Sequence, residues 1–187
     1  MLKNAIILPE LIRTDDMTVQ EYIYLRLRKS ILLGRFEPGN PITIRGIAEI
    51  LDTSPTPVRE ALRRLSTEHA LKMLPNRRIV VPQMTPERFK ELILLRVTLE
   101  EHAARTTLPF VSNRLVDQLA ALDERIDQAV IDTERDILIT MNQEFHRSLY
   151  TANHDPVVMP MIESIWLQLV PFTPIAPRHG EDSYHLA

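Results

Sequence analysis

Apolar residues in the first third of the chain recur at steps of three and four. Val19, Ile23, Leu27 and Ile31 stand four apart, predicting an amphipathic helix over residues 18–34. "RFEPGN" (35–40) ends it with Pro38 and Gly39. Ile44, Ile47, Ala48 and Leu51 predict a second helix within 43–54. A third follows after "DTSP". At about 100° per residue, Val58, Ala61, Leu62 and Leu65 share one side of it. Thr56, Arg59 and Arg63 take the opposite side, flanked by Glu60 and Arg64. Thr53 or Ser54 suits the N-cap, and Pro55 and Pro57 suit a first turn whose N–H groups lack partners. Over 70–83 the pattern changes: "LKML" and "IVV" flank "PNRR". This predicts a two-stranded hairpin whose turn carries Arg77 and Arg78.

From residue 85 onward the pattern is helical throughout. Residues 85–109 open with Thr85 as cap and Pro86 in the first turn, and Pro109 helps end the segment. Residues 112–132 carry Leu115, Leu119, Leu122, Ile126 and Ala129 on one stripe. Residues 133–155 read as a third helix of this half. Residues 156–170 read as a fourth, kinked or started by Pro160. Pro171, Pro174 and Pro177 make a loop, and "GEDSYHLA" (180–187) reads as the opening of one more helix. Trp166 and Met159 are read as core. His102, His154 and His179 are read as surface or loop residues.

Composition narrows the class. Aromatics make up 5% of the 187 residues and hydrophobics 44%, which favours an all-helical body built on Leu and Ile. There are no cysteines, which fits a reducing cytoplasm and excludes disulfides and thiolate sites. No apolar run approaches a membrane span, and the N-terminus lacks a signal-peptide pattern, so residues 1–17 read as an arm. The net charge of −3 hides an asymmetry. Residues 1–84 hold 13 basic and 9 acidic side chains, whereas residues 85–187 hold 9 and 16. A basic first half and an acidic second half suit a DNA-docking domain joined to a domain with another task. The boundaries read as an arm (1–17), a DNA-binding domain (18–83) and a helical domain (84–187). The stretch 80–89 lies between the two domains as the natural hinge.

Two helices separated by "DTSP", a leading helix and a basic hairpin together read as a winged helix-turn-helix, whose second helix enters a DNA major groove. The succession "ILLGRFEPGN", "IAEIL", "SPTPVREALRRL" and "EHALKMLPNRRIVV" resembles the GntR transcriptional regulators over residues 18–81. The resemblance implies DNA contacts from Arg45, Thr56, Arg59 and Arg63, with Arg77 and Arg78 in the wing. Chemistry points the same way for Arg59. It stands early in the recognition helix, where a guanidinium can bond guanine O6 and N7 together. Arg45, on the supporting helix, suits phosphate. Pro55 replaces an arginine frequent in the family. His69 and Arg78 stand where glycine is common, which implies either left-handed residues there or a distorted wing tip.

The second half resembles the FadR-type FCD ligand domain. "RVTLEEHAA" (Arg96, Glu100, Ala103, Ala104), "NQEFHRSLYTANHDPVV" (Asn142, Phe145, His146, Asn153) and "SYHLA" (His185) carry this resemblance. It implies an all-α antiparallel bundle, a homodimer on a palindromic operator, and a pocket for a small organic acid, often beside a divalent metal such as zinc or nickel. The effector residues implied are Arg96, Asn142, His146 and His185; the metal ligands are Asn142, His146 and His185. Metal-binding members place an aspartate where this chain has Asn142. The chain also stops before the helix that normally brings a last histidine, so the bundle reads as C-terminally short. An amide and two imidazoles make a weak site at best. Arg96 and Glu100, four apart, have two readings: a plain intrahelical pair, or an arginine that meets an effector carboxylate. An alternative function, a helical metal-dependent hydrolase using Asn142, Glu144, His146 and His185, lacks a matched nucleophile, base and oxyanion donor. The protein is therefore expected not to be an enzyme.

Overall fold

The computed structural model describes residues 8–75, 78–153 and 157–173. It divides into two compact units. The first comprises the chain up to Arg88 together with Trp166–Phe172; the second comprises most of the rest.

In the first unit, α1 (Val19–Leu32), α2 (Ile44–Ile50) and α3 (Pro55–Thr67) pack around one core. Ile23, Leu27 and Ile31 of α1 meet this core, as do Ile47 of α2 and Val58, Leu62 and Leu65 of α3. Thr18 and Thr43 cap α1 and α2, each accepting a hydrogen bond from the third residue onward, Glu21 and Gly46. Ser54 is the N-cap residue of α3, but its side chain makes no capping bond. Pro57, at the third helical position, has no N–H to donate, which removes one of the two usual partners of such a cap. Ahead of α1 the arm is tied down: Arg26 donates to the carbonyls of Pro9 and Leu8 at 3.0 and 3.2 Å.

The expected hairpin over 70–83 contracts to β1 (Lys72–Met73) and β2 (Ile79–Val80), paired antiparallel. Ile42, from the loop before α2, adds a bridge on the far side of Ile79, with N–H···O bonds in both directions. The hairpin is thus also held by a residue distant in sequence.

Among the described residues, four helix ends share one device. The chain turns through a left-handed residue, whose successor donates back across the last turn. The bonds run Arg35 to Ser30, Thr53 to Ala48, Ala70 to Leu65, and Glu134 to Ala129. Glycine fills the left-handed position only after α1 (Gly34). Elsewhere it is Asp52, His69 and Thr133, at φ 47°, 59° and 59°. Of the two readings for His69 and Arg78, His69 is a left-handed residue that ends α3. Arg78 is not among the described residues with positive φ.

The second unit holds most of α4 (Pro86–Thr107), all of α5 (Asn113–Ile131) and α6 (Arg135–Tyr150), and the first part of α7 (Val158–Leu169). Thr85 accepts from the Arg88 amide at 3.2 Å, capping α4 as expected. α4 ends at Thr107 in a 3₁₀ turn, Leu108–Phe110, that contains Pro109. α5 and α6 form an antiparallel pair whose inner face includes Leu115, Leu122, Ile126, Ala129 and Ile139. The helix expected from residue 133 starts two residues later, because Thr133 is left-handed and turns the chain. Pro160 sits in the first turn of α7, where its missing N–H costs nothing. Met159 and Trp166 are buried and His102 is exposed. His154, His179 and the helix expected over 180–187 lie outside the described residues. Among the described residues, no helix is long and apolar enough to cross a membrane.

Candidate nucleic-acid interface and effector cluster

The amphipathic split of α3 places its polar side chains. Val58, Ala61, Leu62 and Leu65 are buried, so Thr56, Arg59 and Arg63 are held on the exposed side. Arg59 and Arg63 are one turn apart and project from one face. Arg45 on α2 is also exposed. Among the described residues none of these three arginines has a hydrogen bond or ion pair. Arg78 is exposed immediately before β2; Arg77 lies outside the described residues. One face of the first unit therefore offers a hydroxyl and two guanidinium groups on a helix of groove-entering size, with a basic hairpin in the same unit.

Arg64 behaves differently from its neighbour. Its Nη1 donates to Glu21 Oε2 at 2.7 Å, and its Nε lies 3.4 Å from Glu68 Oε1. Its guanidinium carbon lies 3.6 Å from the centre of the Tyr24 ring. The Tyr24 hydroxyl donates to both oxygens of Glu68, at 2.8 and 3.0 Å. Burial and this carboxylate push the Tyr24 hydroxyl up to about 12.

In the second unit, the buried face of α4 is polar: Arg96, Glu100 and Thr107 lie on it with Ala103. Arg96 and Glu100 are each 6% exposed, and Arg96 Nε donates to Glu100 Oε1 at 2.8 Å. The intrahelical pair of the first reading forms, inside the protein rather than on its surface. Tyr150 of α6 donates to Glu100 Oε2 at 3.2 Å, and its hydroxyl lies 3.3 Å from His146 Nδ1. The His146 ring stacks on Tyr150 and meets Phe145 edge-on. Burial holds the His146 imidazole below the usual histidine range; the Glu100 charge opposes that shift and Arg96 adds to it. Burial and Glu100 push the Tyr150 hydroxyl well up.

Asn142, one turn before His146, is half-buried. Glu144 is exposed and stands apart from this cluster. The structure thus brings Arg96 and His146 together through Glu100 and Tyr150. His185 lies outside the described residues. Among the described residues no three His, Asp or Glu converge to hold a metal ion. Asn142 and His146 by themselves offer only two neutral donors. Sequence reasoning missed Tyr150 and Gln143. The available signal was their position on the same face of α6 as His146, four residues after it and three before. The Gln143 side-chain nitrogen is buried without a hydrogen-bond partner among the described residues.

The chain matches known proteins over both halves. The family described as bacterial regulatory proteins, gntR family, matches residues 19–81, and the FCD domain family matches residues 91–185. The HTH-type transcriptional regulator McbR of Escherichia coli strain K12 is 28% identical over 168 residues, covering 86% of this chain and 76% of that protein. An uncharacterized HTH-type transcriptional regulator, YdhC of Bacillus subtilis, is 27% identical over 146 residues, covering 76% of this chain and 64% of that protein. The solved structure of E. coli McbR/YncC superposes with a TM-score of 0.78 at 27% identity, over 83% of this chain and 73% of that one. The fold is also that of a GntR regulator structure from Rhodococcus sp. RHA1, with a TM-score of 0.67 at 23% identity over 81% of this chain and 72% of that one. With a helix-turn-helix in its first half and an FCD domain in its second, the chain belongs to the GntR family of transcriptional regulators.

Proposed function

We propose that this regulator binds a palindromic operator as a homodimer and releases or tightens its grip when a small organic acid binds its second half. The observation that carries the reading is the exposed ridge of Thr56, Arg59 and Arg63, with both arginines unpaired among the described residues. Arg59 is assigned to a guanine edge and Thr56 to a phosphate or a thymine methyl. Arg45 and Arg63 are assigned to phosphates, with Arg77 and Arg78 adding wing contacts. Two copies related by a two-fold axis match two half-sites one helical turn apart. The protein works in the cytoplasm, where its DNA is.

The effector reading rests on Arg96. Among the described residues its guanidinium is hydrogen-bonded only through Nε, although the side chain is almost fully buried. The remaining N–H groups form a fork suited to a carboxylate. His146 of α6 is joined to this pair through Tyr150 and Glu100, Asn142 lies one turn before it, and His185 completes the proposed set. A divalent ion contributes weakly at most. The effector changes operator affinity only to the extent that it binds one arrangement of the protein better than another.

The test is footprinting on the DNA upstream of the protein's own gene, repeated with small carboxylates, sugar acids and amino acids, with and without zinc. Protection of a palindromic site that Arg59→Ala abolishes supports the DNA assignment. Equal protection by Arg59→Ala at the same concentration overturns it. An effector that shifts protection in the unmodified protein but not in Arg96→Gln supports the ligand assignment.

A further inference from the structure

We propose that Arg64 is a positioning residue for DNA reading: it holds the C-terminal half of α3 against α1 and makes no contact with the operator. The proposal rests on α3 being the DNA-reading helix. Arg63 and Arg64 are adjacent in sequence, but about 100° apart around the helix. Arg63 has no partner among the described residues, while Arg64 is engaged on three sides. Its flat guanidinium lies on the Tyr24 ring at 3.6 Å, the geometry in which arginine stacks on an aromatic face. Its edge meets Glu21 and Glu68, so two carboxylates already answer its one positive charge.

The placement explains the use. Glu21 is in the first turn of α1 and Arg64 in the last turn of α3, where each complements the partial charge of its own helix end. Tyr24 is 5% exposed, so its ring is fixed by the core, and its hydroxyl fixes Glu68 in turn. Arg64 therefore joins a rigid point on α1 to the end of α3. The apolar side of α3 sets its distance from α1, but side chains such as Val58 and Leu62 tolerate small rotations. Directional bonds at the far end do not. A slight rotation of α3 would carry the Arg59 tip off a base edge while leaving general attraction to phosphates unchanged. Loss of Arg64 should therefore fall on sequence discrimination rather than on non-specific affinity.

The experiment uses the full chain and two probes: the duplex that the unmodified protein selects from a randomised DNA pool, and a scrambled duplex of equal length. Affinity is measured for both across a series of KCl concentrations. Arg64→Gln is expected to weaken the selected duplex about tenfold, the low end of losing one base contact. It leaves scrambled-duplex binding and the salt slope unchanged. Arg63→Gln, by contrast, lowers the salt slope by about 0.9, the signature of one lost phosphate. Arg64→Lys, which keeps the charge between the carboxylates, recovers part of the selected affinity with the same slope. Tyr24→Phe retains the ring but loses the hold on Glu68, and shows a smaller loss of the same kind; it carries the test if Arg64→Gln does not fold. A slope drop of about 0.9 in Arg64→Gln would make Arg64 a phosphate contact and overturn the proposal. Equal weakening on both duplexes, or none, also overturns it. If the unmodified protein selects no sequence at all, the DNA reading falls and this proposal with it.

Discussion

The Tyr150 hydroxyl lies 3.2 Å from Glu100 Oε2, so one buried carboxylate joins α6 to α4 while its other oxygen holds Arg96. Removing different members of this set should have unequal effects. Tyr150→Phe deletes one hydrogen bond to a charged group and is expected to cost about 1.5–3 kcal/mol. Glu100→Ala leaves a buried guanidinium without its counter-charge and is expected to cost about 3–5 kcal/mol. Urea unfolding monitored by circular dichroism checks the order; equal costs for the two would contradict the described geometry.

Protonation of the same cluster gives stability a pH dependence. The folded imidazole of His146 titrates below its ordinary value of 6.5. As the pH falls through 6.5 the unfolded chain therefore takes up this proton before the folded one does. The His146 contribution is present above that pH and is lost as pH falls toward the lower folded value. His146→Gln should flatten this part of a stability–pH profile measured between pH 7.5 and about 5, where an ordinary histidine titrates.

Helix ends offer a route to a more stable protein. His69 and Thr133 occupy a backbone region that costs non-glycine residues about 1–2 kcal/mol. Thr133 is the more strained of the two, because its side chain is β-branched. Thr133→Gly and His69→Gly are each expected to raise stability by about 0.5–1 kcal/mol despite glycine's entropy in the unfolded state. A rise in the denaturation midpoint checks this, and a fall for Thr133→Gly would contradict it.

On α3, the two faces should separate stability from DNA binding. Leu62 is 1% exposed, and Leu62→Ala is expected to cost about 2–5 kcal/mol, enough to unfold much of the first unit. Arg59→Ala should leave the unfolding midpoint within about 0.5 kcal/mol of the unmodified protein. Thermal melts of the two variants, run beside the footprints, make the comparison.

Zinc should bind weakly. Asn142 and His146 are neutral donors, and no third His, Asp or Glu joins a metal cluster among the described residues. Isothermal titration is expected to show affinity weaker than micromolar. Sub-micromolar affinity that survives His146→Ala would place the ligands elsewhere.

The parts of this fold that were legible in the sequence are those governed by local pattern. The stripe Val58, Ala61, Leu62 and Leu65 marked both the existence of α3 and its buried side, because a period near 3.6 is written directly in the residues. The start of α6 was misjudged because a threonine in a left-handed turn runs against its own propensity; tertiary packing decides that turn. The bridge from Ile42 to Ile79 was not legible, because strand pairing across such a distance leaves no periodic trace. The engagement of Arg64 was not legible because its partner Glu21 lies 43 positions away. The Tyr150 link to Glu100 spans 50 positions and was hidden for the same reason.

The return of Trp166–Phe172 to the first unit bears on how this protein can be dissected. Trp166, Leu167 and Leu169 are among its least exposed side chains, at 2%, 1% and 0%. Gln168 accepts a hydrogen bond from Arg88 at 2.7 Å. A fragment ending at residue 88 would carry every arginine assigned to DNA, yet it would be missing wall material from the body that holds them. Grafting these N-terminal residues onto another sensor would fail for that reason unless a stand-in for the 166–172 stretch travelled with them.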